Sequence, residues 1–368
     1  MSLLQSSLLR VSQRAMRQMA DRDTPFIEDE WYVVGFGAEI GRSLLKRMVL
    51  GRRLVLFRTA AGEPVALDDR CAHRSYPLSA GRLDGDTVVC GYHGMRFDKA
   101  GDCIEVPSQA TCPKGIGVRK YPLVERGPFV WGWFGAESRA DASRIPATPW
   151  LEGGQWASSQ DYFHLPGNYV SLHENLLDLT HLTFVHAGTF GTPDYARAPY
   201  EVESSEGRYR ITRSVSPTRL PPVWGKPTGL EHDHAARIAK SEFVAPGLHV
   251  VSVQFHDAAL PPEGRPRFEI RTCHLPTPET HGSTHYFIVN SRDFALDDSG
   301  MTEFMRGQLM AAFREDVEAL TRLEEILADG DPERYEMSIA SDAPAVAMRR
   351  YLLKRATIRE DAQVSMRP

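Results

Sequence analysis

The sequence lacks long hydrophobic runs, has few cysteines and carries no block of like charge. Its 368 residues contain no stretch of about eighteen consecutive apolar residues, so no membrane span is expected. The five cysteines, an odd number without regular spacing, are typical of reduced thiols and not of a disulfide-linked secreted protein. A formal net charge of −5, without any Lys/Arg run, argues against nucleic acid or a membrane surface as the partner. We therefore expect a globular protein of the bacterial cytoplasm.

Acidic residues are also missing from the first twenty positions, MSLLQSSLLRVSQRAMRQMA. A basic, serine-containing segment of this kind has the composition of an organellar transit peptide. A short amphipathic helix on a bacterial protein is the interpretation we favour. Residues 1–27 are treated as an N-terminal extension.

The remaining chain divides into two predicted domains at a small, polar, proline-containing segment, residues 136–150. Before it, short strand-like runs alternate with turns. After it come a helical stretch near 171–186, strands from about 207 to 292, and an amphipathic helix from about 301 to 328. We place the domains at 28–140 and 141–368. The segment from Gly35 to Gly41 resembles a dinucleotide-binding fingerprint, but no crossover helix or acidic strand end follows it, so we interpret it as a turn.

Four candidate metal ligands lie in CAHRSYPLSAGRLDGDTVVCGYHG, as Cys71-x-His73 and Cys90-x2-His93. Zinc in a Cys2His2 site is one possible occupant. The other is a 2Fe–2S cluster with two cysteines on one iron and two histidines on the second. Classical zinc fingers group cysteine with cysteine and histidine with histidine. Here each loop carries one of each, which is the arrangement that two facing loops need to supply both irons of a Rieske cluster.

A second group of candidate ligands occurs in residues 174–186, ENLLDLTHLTFVH. On an ideal helix Asp178 and His181 share a face, whereas His186 points away from both. His186 can join a metal bound by His181 only if the helix ends or distorts between them. Gly188 makes such an ending plausible.

The predicted helix from 301 carries an acidic residue on its apolar side. Its stripe comprises Met305, Leu309, Phe313, Leu320, Leu323 and Leu327, and Asp316 fills the gap between Phe313 and Leu320. An unpaired buried carboxylate is strongly unfavourable, so Asp316 needs a cation or a buried arginine. Its neighbour Glu315 lies off the stripe and is expected to be solvated. Two histidines and one carboxylate would form the facial triad of non-haem Fe(II) oxygenases.

These motifs together resemble the α subunits of Rieske non-haem iron oxygenases. The chain is similar to the group of vanillate O-demethylase, dicamba demethylase and toluenesulfonate methyl-monooxygenase, with Arg74 and the run GYHGMRFD as further family features. The respiratory Rieske proteins carry two more cysteines, where Tyr76 and Tyr92 stand here. The resemblance implies an α+β fold: an all-β Rieske domain followed by an antiparallel-sheet catalytic domain with helices, of helix-grip type.

The resemblance also implies residue roles. The Rieske cluster is expected on the two Cys/His pairs, and a mononuclear Fe(II) on His181, His186 and Asp316. Asp178 is expected to hydrogen-bond His181 and also His93 of a neighbouring chain in a head-to-tail homotrimer. Asn175 is expected near the iron, as a weak ligand or in contact with one.

The activity implied is that of the oxygenase component of a multicomponent monooxygenase. O2 and electrons from NADH, delivered by a separate reductase or ferredoxin, would hydroxylate or oxidatively demethylate an aromatic substrate, in particular an aromatic acid. Ring dihydroxylation, or hydroxylation of an alkaloid, steroid or amine, remains open at this stage. Two other classes are a Rieske electron carrier and a zinc-binding module.

Overall fold

The computed structural model describes residues 25–329 and 336–364, without the side chains of 357–364. The expectations for the first twenty-four residues lie outside this description. Two compact units emerge from the described chain: residues 28–147 with 277–280, and residues 148–276 with those from 281 onward. No helix among the described residues is long and apolar enough to cross a bilayer.

The first unit is built from three small antiparallel sheets. Their strands are β1 (Trp31–Phe36), β2 (Leu45–Val49), β3 (Arg52–Arg58), β4 (Pro64–Asp68), β5 (Arg82–Asp84), β6 (Thr87–Val89), β7 (Arg96–Phe97), β8 (Cys103–Glu105), β9 (Lys120–Tyr121), β10 (Leu123–Arg126) and β11 (Phe129–Trp133). The strand orders are β1-β11-β10, β2-β3-β4-β9 and β5-β6-β7-β8. The chain turns directly after β1, as expected for the glycine-containing segment that follows. Apolar residues of β3, β4, β6 and β7 form a core beneath the two Cys/His loops.

Over its described residues, the second unit contains one seven-stranded sheet and four α-helices. Its strands are β12 (Ala157–Leu165), β13 (Tyr200–Ser205), β14 (Arg208–Thr218), β15 (Ala235–Val244), β16 (Leu248–Asp257), β17 (Phe268–Thr280) and β18 (Ser283–Arg292). The helices are α1 (Tyr169–Leu177), α2 (Pro222–Thr228), α3 (Ser299–Ala328) and α4 (Ala343–Val364). The strand order is β12-β18-β17-β16-β15-β14-β13. β12 pairs antiparallel with β18, and β13 to β17 pair antiparallel in succession. The α+β class and the order of the two domain types are those expected.

Helix α1 ends earlier than the sequence pattern suggests. It stops at Leu177, and Asp178 adopts extended backbone angles before a 3-10 helix, Leu179–Thr183. The carboxylate of Asp178 accepts hydrogen bonds from the N–H (2.9 Å) and hydroxyl (2.6 Å) of Thr180, which caps this 3-10 helix. Asp178 and His181 therefore do not share the face of one α-helix. The change of helix type before His181 allows His186 to reach the same site.

Helix α3 presents an inner face that differs in part from the predicted stripe. Met305, Leu309, Phe313, Asp316 and Leu320 are buried as expected. Leu323 is exposed, and Glu324 takes the inner position four residues after Leu320. The Glu324 carboxylate accepts a hydrogen bond from the N–H of Asn168, just before α1 (3.0 Å). An α-helix has about 3.6 residues per turn, so the next inward position after Leu320 falls at Glu324 and not at Leu323. The carboxylate can be buried there because it is hydrogen-bonded.

Candidate active site

Two loops of the same construction carry the four predicted cluster residues. The N–H of Cys71 donates to the carbonyl of Tyr76 (2.9 Å), five residues later. The N–H of Cys90 donates in the same way to the carbonyl of Met95 (2.8 Å). Both loops therefore close over their histidines by equivalent main-chain hydrogen bonds.

The fourth residue after each cysteine adopts the left-handed backbone conformation. Ser75 has φ 57° and Gly94 has φ 74°. Their N–H groups donate to the carbonyls of Cys71 and Cys90, both at 3.0 Å. Glycine adopts this conformation without strain, whereas the Cβ of serine makes it costly, so each loop reverses direction just after its histidine by a constrained turn.

The cysteines and histidines of the loops differ in exposure. Cys71 and Cys90 are buried, whereas His73 and His93 are exposed and their ring centroids lie 4.7 Å apart. Burial raises the pKa of the Cys71 thiol, so its thiolate needs a nearby cation. This donor set fits a 2Fe–2S cluster, which the two buried cysteines and the two exposed histidines would hold.

Two tyrosines occupy the positions that hold additional cysteines in respiratory Rieske proteins. The rings of Tyr76 and Tyr92 pack with centroids 5.6 Å apart. An aromatic contact therefore links the two loops here. Cys103 and Cys112 are free, with their Sγ atoms 3.9 Å apart.

His181, His186 and Asp316 come together in the second unit. One ligand atom from each lies within 4.8 Å of the other two. Asp316 Oδ1 is 3.4 Å from Nε2 of His181 and 3.1 Å from Nε2 of His186. Two imidazole nitrogens and a carboxylate oxygen thus converge from a 3-10 helix, the loop after it and helix α3.

The local chemistry of this cluster fits a divalent metal ion. His186 Nε2 is buried and makes no hydrogen bond with any described residue, although Asp316 lies close. Burial alone would raise the pKa of Asp316, but the two imidazoles outweigh it and hold that pKa below its usual range. The carboxylate therefore stays ionised in the interior. A buried nitrogen lone pair beside an ionised carboxylate is the donor arrangement of a facial triad.

Asn175 and Asp178, the remaining predicted residues, lie beside the cluster in different roles. The side-chain amide of Asn175 donates to Asp316 Oδ1 (3.0 Å). Nδ1 of His181 contacts the main-chain carbonyl of Asp178 and not its carboxylate. The expectation that the side chain makes this contact is therefore wrong. The side chain instead caps the 3-10 helix, so Asp178 orients His181 through its backbone.

Glu315 is a site residue that sequence reasoning missed. It was expected to be solvated, yet Oε2 accepts hydrogen bonds from His186 Nδ1 (2.8 Å) and the Thr189 hydroxyl (2.8 Å). Burial alone would lower the pKa of His186, but Asp316 and Glu315 outweigh it and raise that pKa. Metal-bound histidines commonly donate their second N–H to a carboxylate. The presence of two consecutive acidic residues on α3, Glu315 and Asp316, is the feature of the sequence that could have indicated this role.

A cavity opens from the three candidate iron ligands into the second unit. Aliphatic and aromatic side chains form most of its wall, with a few polar groups among them. It is lined by Leu176, Leu179, His181, Leu182, His186, Phe190, Tyr195, Trp224, Arg237, Ala239, Val251, Val253, Ile270, Thr272, His274, Asn290, Leu309, Phe313 and Asp316. The wall has the polarity pattern of a small-molecule site, apolar with few polar anchors.

Arg237, Thr272, His274 and Asn290 belong to this wall and were not identified from the sequence. They lie on β15, β17 and β18. Neighbouring strands alternate polar and apolar residues in ways that do not reveal which face meets the cavity. No local signal in the sequence therefore distinguishes these four residues from the other residues of the sheet.

A β-sheet unit with paired Cys/His loops precedes a sheet-and-helix unit with a buried two-histidine, one-carboxylate site. These are the parts of a Rieske-type non-haem iron oxygenase.

The chain belongs to the family of Rieske oxygenases with a vanillate O-demethylase oxygenase C-terminal domain. The model of that domain matches residues 165–357, and the Rieske 2Fe–2S domain model matches residues 30–122. The chain is accordingly an oxygenase component of a multicomponent Rieske monooxygenase, with a Rieske cluster and non-haem iron as its cofactors.

Three similar proteins place the chain within this family. A putative toluene-4-sulfonate monooxygenase iron–sulfur subunit of Comamonas testosteroni is 34% identical over 89% of this chain and 96% of its own length. The dicamba O-demethylase oxygenase component of Stenotrophomonas maltophilia is 33% identical over 81% of this chain and 88% of its own. The crystal structure of dicamba monooxygenase bound to 3,6-dichlorosalicylic acid superimposes with a TM-score of 0.86 at 27% identity, covering 91% and 99% of the two chains.

Proposed function

We propose that this chain hydroxylates or oxidatively demethylates an aromatic acid, using O2 and electrons that a separate reductase or ferredoxin delivers from NADH. The cavity wall carries this proposal, because it joins an apolar lining suited to an aromatic ring to His181, His186 and Asp316. The similar proteins named above support it, since one is described as acting on toluene-4-sulfonate and another binds a dichlorosalicylic acid. The free cysteines and the bacterial relatives support a cytoplasmic location.

In this proposal the Rieske cluster is held by Cys71, His73, Cys90 and His93. Its exposed histidine side offers a site where a redox partner can approach. Reduction potentials of such clusters are raised relative to all-cysteine clusters because neutral imidazoles replace two thiolates. This chain shows no nicotinamide or flavin motif in its sequence, which is why the electrons are assigned to a separate protein.

The mononuclear iron is assigned to His181, His186 and Asp316. Fe(II) held by these three residues would supply O2 activation. The chain's own residues hold the ligands in place. Glu315 orients His186, Asn175 holds the Asp316 carboxylate by its amide, and the Asp178 carbonyl orients His181.

Asp178 is also assigned to electron transfer between chains. Its carboxylate lies at the half-buried start of the 3-10 helix that carries His181, with one oxygen engaged by Thr180. We assign its other oxygen to His93 of a neighbouring chain in a head-to-tail homotrimer. Heterologous contacts of this kind form a closed ring when the rotation between subunits is a third of a turn.

The first experiment measures iron and acid-labile sulfide per chain, with electron paramagnetic resonance before and after reduction. About three irons to two sulfides, with a Rieske signal on reduction, is the expected result. Turnover of a methoxylated aromatic acid should then release formaldehyde in proportion to NADH consumed. A ratio of two irons to two sulfides that anaerobic Fe(II) does not change would mean an electron carrier and would end the proposal.

A further inference from the structure

Arg237 is a buried cation without an acidic partner. It is 2% exposed, and among the described residues no carboxylate forms an ion pair with its guanidinium. Asp194 acts on Arg237 through its charge, which by itself raises the pKa of the guanidinium, and its carboxylate accepts a hydrogen bond from the Thr218 hydroxyl (2.9 Å). Burial lowers the pKa of Arg237, yet arginine remains protonated at any ordinary pH. A buried charge without a direct counterion is unfavourable, so an anion that reaches this guanidinium would be stabilised there.

The surroundings of Arg237 position it without neutralising it. Its Cζ lies 4.1 Å from the ring centre of Trp224 and 4.3 Å from that of Tyr195. One nitrogen donates to the Phe190 carbonyl (3.3 Å). The aromatic faces stabilise a cation by their quadrupoles and restrict its movement. The guanidinium is therefore fixed in orientation before any ligand arrives.

Several hydrogen-bond donors are unsatisfied in the same group of residues. Arg237 Nε, Trp224 Nε1 and the Tyr195 hydroxyl are buried, and none has a hydrogen-bond partner among the described residues. All three residues line the cavity. Most buried polar groups in native proteins are hydrogen-bonded, so three unsatisfied donors in contact indicate a missing acceptor.

The strand position of Arg237 explains how it meets the cavity. On β15 the inward residues alternate as Ala235, Arg237, Ala239, Ser241 and Phe243. Alanine on both sides of Arg237 leaves space on that face, because its side chain ends at Cβ. The arginine thus stands where a bulky apolar residue would otherwise fill the core.

Contacts lead from Arg237 to the candidate iron ligands. Trp224 packs on Phe190 with ring centroids 5.4 Å apart, and Phe190 packs on His186 at 4.5 Å. All of these side chains line one cavity. A ring between the two ends would place its reacting substituent towards the histidines and a charged substituent towards Arg237.

We propose that Arg237 is the specificity-determining residue that binds the carboxylate or sulfonate group of the aromatic substrate. The inference rests on the proposed function and deepens it by naming the group that selects acids over neutral aromatics. A guanidinium matches an oxyanion with two parallel N–H donors, which a neutral amide cannot use as well. An ion pair between Arg237 and the acid group of the substrate would also fix the position of the aromatic ring. It would thereby limit which ring substituent reaches the iron.

The test compares acids with their neutral amides on the purified holoenzyme by isothermal titration calorimetry. The pairs are toluene-4-sulfonate with toluene-4-sulfonamide and 4-methoxybenzoate with 4-methoxybenzamide, which also separates sulfonate from carboxylate. We expect wild type to bind at least one anion about tenfold or more tightly than its amide. Arg237→Met should weaken anion binding by roughly tenfold to a hundredfold and change amide binding by less than about threefold.

Arg213→Met is the matched control. Arg213 is equally buried, at 1% exposed, stacks on Tyr200 at 4.8 Å and donates to the Ala198 carbonyl (3.0 Å), but it does not line the cavity. Its replacement should leave the anion preference unchanged. Arg237→Lys should give an intermediate affinity, because the charge remains and the bidentate geometry is lost. Circular dichroism and iron content verify that each variant is folded.

The binding measurements test the role of Arg237, and turnover tests the proposed function. An equal affinity of wild type for anion and amide, or an Arg237→Met protein that keeps the full preference, overturns the role of Arg237. Turnover of an aromatic acid under those conditions would leave the proposed function standing. Binding of neither form, together with no oxidation of any aromatic compound, would overturn both.

Discussion

Glu315 and Asp316 are adjacent on α3 and contact opposite nitrogens of the same histidine. Asp316 faces Nε2 of His186, whereas Glu315 accepts from Nδ1. Successive residues of a helix point about 100° apart, so one carboxylate enters the interior and the other reaches around from the side. Of these two consecutive residues, Asp316 is a candidate metal ligand and Glu315 orients His186, which is another.

Glu315→Gln tests this arrangement. The amide still fills the space, but it binds the Nδ1 hydrogen more weakly and makes His186 a poorer ligand. We expect iron affinity to fall roughly tenfold to a hundredfold, with the Rieske cluster unaffected. Anaerobic Fe(II) titration against a chelator measures the affinity. Glu318→Gln, on the exposed side of the same helix, is the control, and equal affinities of the two variants would contradict the role of Glu315.

Three buried histidines lie next to one another in the second unit. His173 and His249 stack with ring centroids 6.0 Å apart, and His249 lies 6.4 Å from His274. Burial lowers the pKa of His173 to about 3 and that of His274 to about 3, and lowers that of His249 as well. All three are therefore neutral in the folded protein at neutral pH.

This cluster should make the unit less stable in acid. Between the unfolded pKa of about 6.5 and the folded pKa, only the unfolded chain binds the proton, so stability falls as pH drops below about 6.5. From about pH 6.5 to 5 the loss is roughly 2 kcal/mol per histidine. His173→Phe should reduce the Tm decrease over that range by roughly 4–8 °C, as measured by calorimetry. His234→Phe, at an exposed position, should leave the decrease unchanged, and an unchanged decrease in His173→Phe would refute the assignment.

The loop after the 3-10 helix fixes the backbone of His186 by main-chain hydrogen bonds. The carbonyl of His186 accepts from the N–H groups of Thr189 (3.0 Å) and Gly191 (2.8 Å). A Cβ on Gly191 would lie 1.8 Å from the carbonyl oxygen of Leu182 and 2.8 Å from that of His186. Glycine is required there because two backbone segments meet. At Gly188, which the sequence pointed to, a Cβ would meet no described atom within 4 Å, and the residue ends no helix.

Gly191→Ala and Gly188→Ala therefore should behave differently. The alanine at 191 must move the backbone that carries His186, so we expect loss of most iron and a stability decrease of about 1–3 kcal/mol. The alanine at 188 should keep iron content and Tm close to wild type. The measurements are the iron content and the Tm of the two variants, each compared with wild type. Normal iron binding by Gly191→Ala would show that the loop adapts.

In a head-to-tail homotrimer, two chains that are each inactive should restore each other's activity. A Cys90→Ser chain lacks the cluster and an Asp316→Ala chain lacks the iron, so neither should turn over substrate alone. In a mixed head-to-tail ring one junction joins an intact cluster to an intact iron, so mixed rings from co-expression should show about one third of wild-type turnover.

Asp178→Asn supplies the control for that experiment. Introduced into the Cys90→Ser chain, it should abolish the restored turnover while the metals of both chains remain, because the amide replaces the carboxylate assigned to His93 of the neighbour. Mixed oligomers that show no turnover would mean that electrons pass within one chain. Full activity in a monomer would exclude the trimer requirement.

Much of the site follows from local patterns. The Cys/His loops are defined by residue type and spacing, and Asp316 stands out because an apolar helical stripe cannot tolerate a lone carboxylate. Arg237, His274 and Glu315 could not be assigned in the same way. Each becomes part of the site through contact with residues more than thirty positions away or through a change of helix type that propensity alone does not predict.

The motifs of the sequence, together with the family resemblance that they carry, predicted the cofactors, the order of the two domain types and an iron site on His181, His186 and Asp316. The motifs depend on residue type and on spacings of two to four residues, whereas the joining of residues more than a hundred positions apart was implied by the resemblance. The three-dimensional structure was needed to show which carboxylate contacts His186, which main-chain carbonyl contacts His181 and which arginine lines the cavity. Those contacts depend on strand register and helix packing, which are set by burial across the whole unit and not by any local segment.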